Sequence, residues 1–169
     1  IGLIDDSSAE PAGPGPGRDE VERRAMAAVL DVEAAVGHIA RDMNDEHRNH
    51  PGYDVQSLVP ASGDRTDRLL FIEVKGRIEA SETVTVSRNE ILTALNAPDQ
   101  FVLALVEVSR SGQRHDRVRY LSRPFEGIGV THFAETSRNF AWTKLWELGS
   151  DPREHFAGDA GTDDDLRDA

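Results

Sequence analysis

Residues 100–108, QFVLALVEV, constrain the fold more than any other segment. From Phe101 to Val108 only Glu107 interrupts a run of apolar side chains. Such a strand has no polar face to offer to water, so it must be covered on both sides. A covered strand demands a sheet with other elements packed on each face, which is the α/β class.

The remaining elements fit that demand. The strongest second strand is RLLFIEVKG (68–76), ended by Gly76. Side chains alternate along a strand, so Leu69, Phe71, Glu73 and Lys75 share one face, and Leu70, Ile72 and Val74 the other. YDVQSLV (53–59) and the turn residues PASGDRTD (60–67) precede it, which predicts a hairpin. HIARDM (38–43), ETVTVS (82–87) and RVRYLSRPF (117–125) read as further strands, and NDEHRNHPG (44–52) as a loop.

Two helices stand out. Between Arg18 and Val36, Val21, Ala25, Ala28, Val29, Val32 and Val36 recur at steps of three and four, and Gly37 ends the pattern. Glu22 and Glu33 lie on the border of that apolar face. RNEILTALN (88–96) is amphipathic, with Ser87 as N-cap and Glu90 in the capping-box position. Trp142, Leu145 and Trp146 suggest one more short packed helix. The predicted order is α-β-β-β-β-α-β-β, a mixed central β-sheet flanked by helices.

With 169 residues the chain holds one domain with a sizeable core. Residues 1–17 include EPAGPGPG and read as a flexible linker. Residues 18–149 form the α/β domain, and 150–169 an acidic disordered tail. The chain opens at Ile1, and a linker in this place is what a C-terminal module of a larger protein would carry. Gly13, Gly15 and Gly17 sit among prolines with no Gly-Lys-Ser/Thr after them, so they are linker and not a phosphate loop. His47 and His50 read as surface residues, because further ligands at a metal-site spacing are missing.

The formal net charge is −12, and the terminal segments hold most of the excess. That acidity argues against general nucleic-acid binding, which draws its affinity from Lys and Arg. Lysine occurs twice, at Lys75 and Lys144, so Lys75 is conspicuous. There is no cysteine, which excludes disulfides, thiolate catalysis and Cys-based zinc sites. No apolar run reaches the length of a membrane span and nothing resembles a signal peptide, so a soluble, cytoplasmic protein is expected.

Charge inside a sheet is costly unless it is paired or bound. Glu73 and Lys75 emerge side by side from β-structure, and Asp54, across the hairpin, can approach Glu73. Two carboxylates that close repel unless a cation lies between them, and hard oxygen ligands favour Mg²⁺ or Mn²⁺. The plain alternatives are an ordinary Glu73–Lys75 ion pair, an Asp54 that accepts hydrogen bonds from a turn, a solvated Glu33, and a Glu90 that only caps its helix.

The ordering D-(turn)-E-x-K with a helical glutamate upstream resembles the PD-(D/E)XK nuclease superfamily. More narrowly, GYDV, FIEVKGR, VTVSRNEI and FVLALVEV, followed by an RPF strand end, resemble the NO VEIN C-terminal domain over about residues 20–125. That domain often ends large helicase-like proteins associated with defence against foreign DNA. The resemblance implies a restriction-endonuclease-like core. It implies that Asp54, Glu73 and the backbone carbonyl of Val74 ligate the metal, and that Lys75 orients the attacking water. Glu33 matches the helical glutamate of such folds and would serve as a further metal ligand, with Glu22 as the competing candidate. Arg77, Arg88, Asn89 and Glu90 would contact nucleic acid, the last two near helix amides that can receive an anion. Pro51 stands three residues before Asp54, where the superfamily's pattern has an adjacent proline. The function implied is metal-dependent hydrolysis of phosphodiester bonds, DNA favoured, within a helicase-associated protein. The alternatives are an inactive nuclease-like fold used for docking, and an acidic interaction domain whose hairpin carboxylates are structural.

Overall fold

The computed structural model describes residues 15–46, 52–128 and 134–157. His47, His50 and Pro51, most of the 1–17 linker and the end of the acidic tail lie outside these residues. The elements run α1 (Arg18–Ala35), β1 (Ile39–Asp42), α2 (Met43–Glu46), β2 (Val55–Val59), β3 (Arg68–Ile78), β4 (Thr83–Ser87), α3 (Arg88–Asn96), β5 (Phe101–Val108), β6 (Arg117–Ser122), β7 (Ser137–Ala141), α4 (Trp142–Leu148) and α5 (Pro152–Ala157).

Five strands form a mixed sheet in the order β1-β2-β3-β5-β6. The predicted hairpin is β2–β3, antiparallel, with Val55 opposite Ile72 and Val59 opposite Arg68. β3 and β5 are parallel, with Glu73 beside Leu103 and Lys75 beside Leu105. β5 is covered on both faces, as its composition demands. Val102, Ala104, Val106 and Val108 join Val21, Ala25 and Val29 of α1 in one core. Phe101, Leu103 and Leu105 join Ile91 and Ala94 of α3, Val84 and Val86 of β4, and Trp142 and Leu145 of α4 in the other.

α1 is closed by a Schellman arrangement. Gly37 adopts φ +84°, its N–H donates to the Ala34 carbonyl, and the His38 N–H donates to the Glu33 carbonyl. The helix lies tight on β3 because Gly76 carries no side chain. A Cβ there would stand 2.7 Å from Ala25 Cβ. Gly76 therefore does not end its strand, which continues to Ile78; it makes room for a helix. Arg24, buried on the same helix, is ion-paired to Asp116 ahead of β6.

Three expectations change. β4 is not part of the main sheet; it pairs antiparallel with β7 as a two-stranded ribbon. The segment 44–52 begins with a helical turn, α2. The structure also continues past Gly149. Ser150 exchanges two backbone hydrogen bonds with Tyr120, both 2.9 Å, and Phe156 of α5 packs against His38 and Tyr120. The boundary at 149–150 thus falls inside folded chain. No helix among the described residues is long and apolar enough to cross a membrane.

Candidate active site

The site exists because β2 is shorter than β3. Their ladder ends at Val55 and Ile72, and Asp54 is the last residue to take part, its N–H donating to the Ile72 carbonyl at 2.9 Å. Odd-numbered residues of β3 bond toward β5, as the Phe71 N–H does to Gln100. Even-numbered ones point to the β2 edge. Beyond Ile72 that edge has no strand partner among the described residues. The Val74 N–H there is taken by Asp54 Oδ2 at 2.9 Å, and the Val74 carbonyl lies on the same edge. Asp54 is held in turn from α2. Asn44 Nδ2 donates to Asp54 Oδ1 at 3.2 Å, and the Met43 N–H donates to the Asp54 carbonyl at 2.9 Å.

This edge opens into a cleft of about 680 Å³ lined by Asp54, Glu73, Val74, Lys75, Gly76 and Arg77. Arg18, Glu22 and Met26 of α1 form one wall; Thr85, Ser87, Glu90 and Ser137 form the other. The sequence places Asp54, Glu73 and Lys75 together, and so does the structure.

Inside the cleft the charges are unequal. Lys75 Nζ lies 2.7 Å from Glu73 Oε1 and 2.7 Å from Glu90 Oε2. Glu73 is 4% exposed. Burial pushes its carboxyl up to about 8; Lys75 opposes that rise, and Asp54 and Glu90 each add a smaller repulsion. Burial draws Lys75 down, but its two carboxylate partners outweigh it and hold the ammonium above lysine's ordinary value. Burial likewise pushes Glu90 up, and Lys75 with the Ser87 hydrogen bonds brings it below the ordinary range. One ammonium therefore serves more carboxylate than it can neutralise, and the most buried acid keeps its proton longest.

Oxygen donors dominate the notch. Val74 N–H and Lys75 each take one carboxylate oxygen, which leaves Glu73 Oε2, the Val74 carbonyl, and Asp54 Oδ1 with its 3.2 Å bond from Asn44 Nδ2. That set suits a hard divalent cation such as Mg²⁺ or Mn²⁺. Among the described residues no group of three or more His, Cys, Asp and Glu side chains is arranged to hold a metal alone. A cation here would need the backbone carbonyl and solvent to complete its shell.

Glu33 is not in the cleft. It is fully buried near the other end of α1. Ser57 Oγ donates to Oε2 at 2.5 Å, Tyr120 OH donates to Oε1 at 2.7 Å, and His38 Nδ1 lies 2.8 Å from Oε2. Three partners already surround a carboxylate with no access to solvent. Burial first, and then Glu33, raise the Tyr120 hydroxyl far above its ordinary value, so it stays a donor. The α1 carboxylate that lines the cleft is Glu22, exposed and 2.8 Å from Arg18.

The proposed nucleic-acid contacts divide. Arg77 lines the cleft, with its Nε donating to the Thr83 carbonyl at 3.0 Å. Arg88 and Asn89 do not line it. The start of α3 is no open anion site. The Arg88 N–H goes to the Thr136 carbonyl, the Glu90 N–H to Ser87 Oγ, and Glu90 closes the capping box on the Ser87 N–H at 2.9 Å. Sequence reasoning missed Asn44, which sat in an expected loop, and Thr85 and Ser137, which reach the cleft only through the β4–β7 ribbon.

No curated protein shows significant similarity to the chain. Residues 21–121 do match a protein family, and they span α1 through most of β6, including every residue of the β3 edge. The chain belongs to that family, described as Protein NO VEIN, C-terminal.

Proposed function

We propose that the chain is a metal-dependent nuclease module of the PD-(D/E)XK type, which hydrolyses phosphodiester bonds of nucleic acid, with DNA as the favoured substrate. One observation carries the reading: two carboxylates, a backbone carbonyl and a lysine meet where β3 loses its neighbour, in an open cleft of about 680 Å³. Asp54, Glu73 and the Val74 carbonyl would hold Mg²⁺ or Mn²⁺, which supplies Lewis-acid polarisation of the phosphoryl oxygen and a more acidic water. Lys75 orients the attacking water and stabilises the charge that develops on the phosphorane oxygens. Glu22, on the α1 wall, takes the place first given to Glu33 as the helical carboxylate. Arg77 and Arg18 offset the acidic charge at the cleft mouth and receive the phosphate backbone.

The family and the linker support a place at the C-terminus of a larger helicase-associated or defence protein in the cytoplasm, where other domains would supply the grip on DNA that an acidic module lacks. A docking role without catalysis is the second reading. The net charge of −12 and the pairing of Lys75 with Glu73 favour it.

The deciding experiment incubates the protein with plasmid DNA, single-stranded DNA and RNA in Mg²⁺ or Mn²⁺, beside Lys75→Ala. Cleavage that needs the metal and falls at least 100-fold in the variant supports the nuclease. Metal binding without cleavage of any substrate selects the docking module.

A further inference from the structure

Glu90 has two jobs that one carboxylate oxygen performs together. Its Oε2 accepts the Ser87 N–H at 2.9 Å, closing the capping box of α3, and it holds Lys75 Nζ at 2.7 Å. The first bond fixes the carboxylate relative to the backbone, because both its partners belong to the cap. The second therefore fixes the lysine relative to α3. A carboxylate spent this way is a poor partner for a phosphate, so the nucleic-acid contact expected of Glu90 is not its role. Lys75, in turn, is divided. Its other partner, Glu73 Oε1, also stands 2.7 Å away, and Glu73 is one of the oxygens offered to a cation. Beside a divalent charge an ammonium is repelled, so the Glu73 bond is the one that must weaken.

Resting on the nuclease reading, we propose that Glu90 is the positioning residue of Lys75: once Glu73 turns its carboxylate to a divalent cation, Lys75 releases Glu73 and remains fixed on Glu90, with its ammonium facing the cleft. Lys75 thus has a constant partner and an exchangeable one. Glu73 and Glu90 hold it before metal enters; Glu90 alone holds it afterwards. The helix cap sets where the ammonium stands relative to the strand that carries it.

Glu90→Gln separates the two jobs. A glutamine still completes a capping box, but it withdraws the charge from Lys75. The chain has only two lysines, so lysine-selective ¹³C labelling gives one signal from Lys75 and one from the reference Lys144. The readout is the mobility of the Lys75 ε-methylene, with and without Mg²⁺ and without nucleic acid. The expected pattern is order in the wild type under both conditions, order in Glu90→Gln without metal, and free rotation in Glu90→Gln with Mg²⁺. A purely structural role would loosen the variant in both conditions. Single-turnover cleavage is expected to fall about tenfold or more with the substrate KM nearly unchanged, the sign of a contact used in the transition state. Lys75 that stays ordered in Glu90→Gln with Mg²⁺, or becomes mobile in the wild type with Mg²⁺, overturns the assignment while leaving the nuclease reading intact. In a second sample labelled with ¹³C at the glutamate carboxyls, a Glu73 signal that does not respond to Mg²⁺ removes the metal site, and the exchange with it.

Discussion

Asp54 Oδ2 accepts the Val74 N–H at 2.9 Å, two residues along β3 past Ile72, the last position that the β2–β3 ladder pairs. A side chain here takes the place of a strand. It satisfies the backbone of β3 without covering it, and so leaves an edge that a ligand can reach. This relationship separates two effects of substitution. Asp54→Asn keeps an acceptor for Val74 and is expected to fold normally while losing Mg²⁺ affinity and cleavage. Asp54→Ala leaves the N–H unpaired and is expected to cost about 1–3 kcal/mol as well. Urea denaturation beside calorimetric Mg²⁺ titration reads both.

Glu73 makes stability depend on pH in an unusual sense. Its folded carboxyl is raised from 4.5 to about 8, so the folded state binds the proton more tightly than the unfolded one. Between those two values stability falls as pH rises, by up to about 1.4 kcal/mol per unit, and below 4.5 the effect is absent. Glu73→Gln mimics the protonated form and removes the slope. At pH 8.5 the variant is expected to be more stable than the wild type, and at pH 4 equal to it. Identical slopes in the two proteins would sink this account of the buried acid.

Glu22 and Glu33 are expected to trade places in function and stability. Glu33→Gln disturbs a carboxylate with three buried partners and should cost about 1–3 kcal/mol, while molecules that fold still cleave. Glu22→Gln loses an exposed pair with Arg18, which contributes little to folding. Its melting temperature should match the wild type, and its cleavage rate should fall.

Gly76→Ala tests the approach of α1 to β3. The added methyl would meet Ala25 Cβ at 2.7 Å and Val21 Cγ1 at 3.2 Å. Overpacking of this kind costs about 1–3 kcal/mol. The helix that carries Glu22 must shift to relieve it, so weaker metal-dependent cleavage should accompany the lower denaturation midpoint.

The exchange of Glu33 for Glu22 shows where sequence reasoning stops. Eleven residues are close to three full helical turns, so both glutamates fall on one stripe. Periodicity identifies the stripe. It says nothing about which end, some 16 Å away along the axis, crosses the open strand edge. β3, β5 and α3 were readable because their patterns are local: alternation, continuous apolarity, and a capping box within four residues. β7 was not, since Ser137–Ala141 becomes a strand only by meeting β4 some fifty residues earlier. α5 is six residues long and stays in place through Ser150 and Phe156, contacts that no short window contains.

The enclosed knot around Glu33 has a mechanical side. Ser57 and Tyr120 fasten the last turns of α1 to two different strands, β2 and β6, whereas Arg18 and Glu22 at the opposite end are exposed. The opposite half is pinned as well, by the buried pair of Arg24 with Asp116 and by the close seat of Ala25 over Gly76. A rod clamped along its length makes a stiff wall, so the groove keeps its width and only the exposed tips of Arg18 and Glu22 can adapt to what enters it.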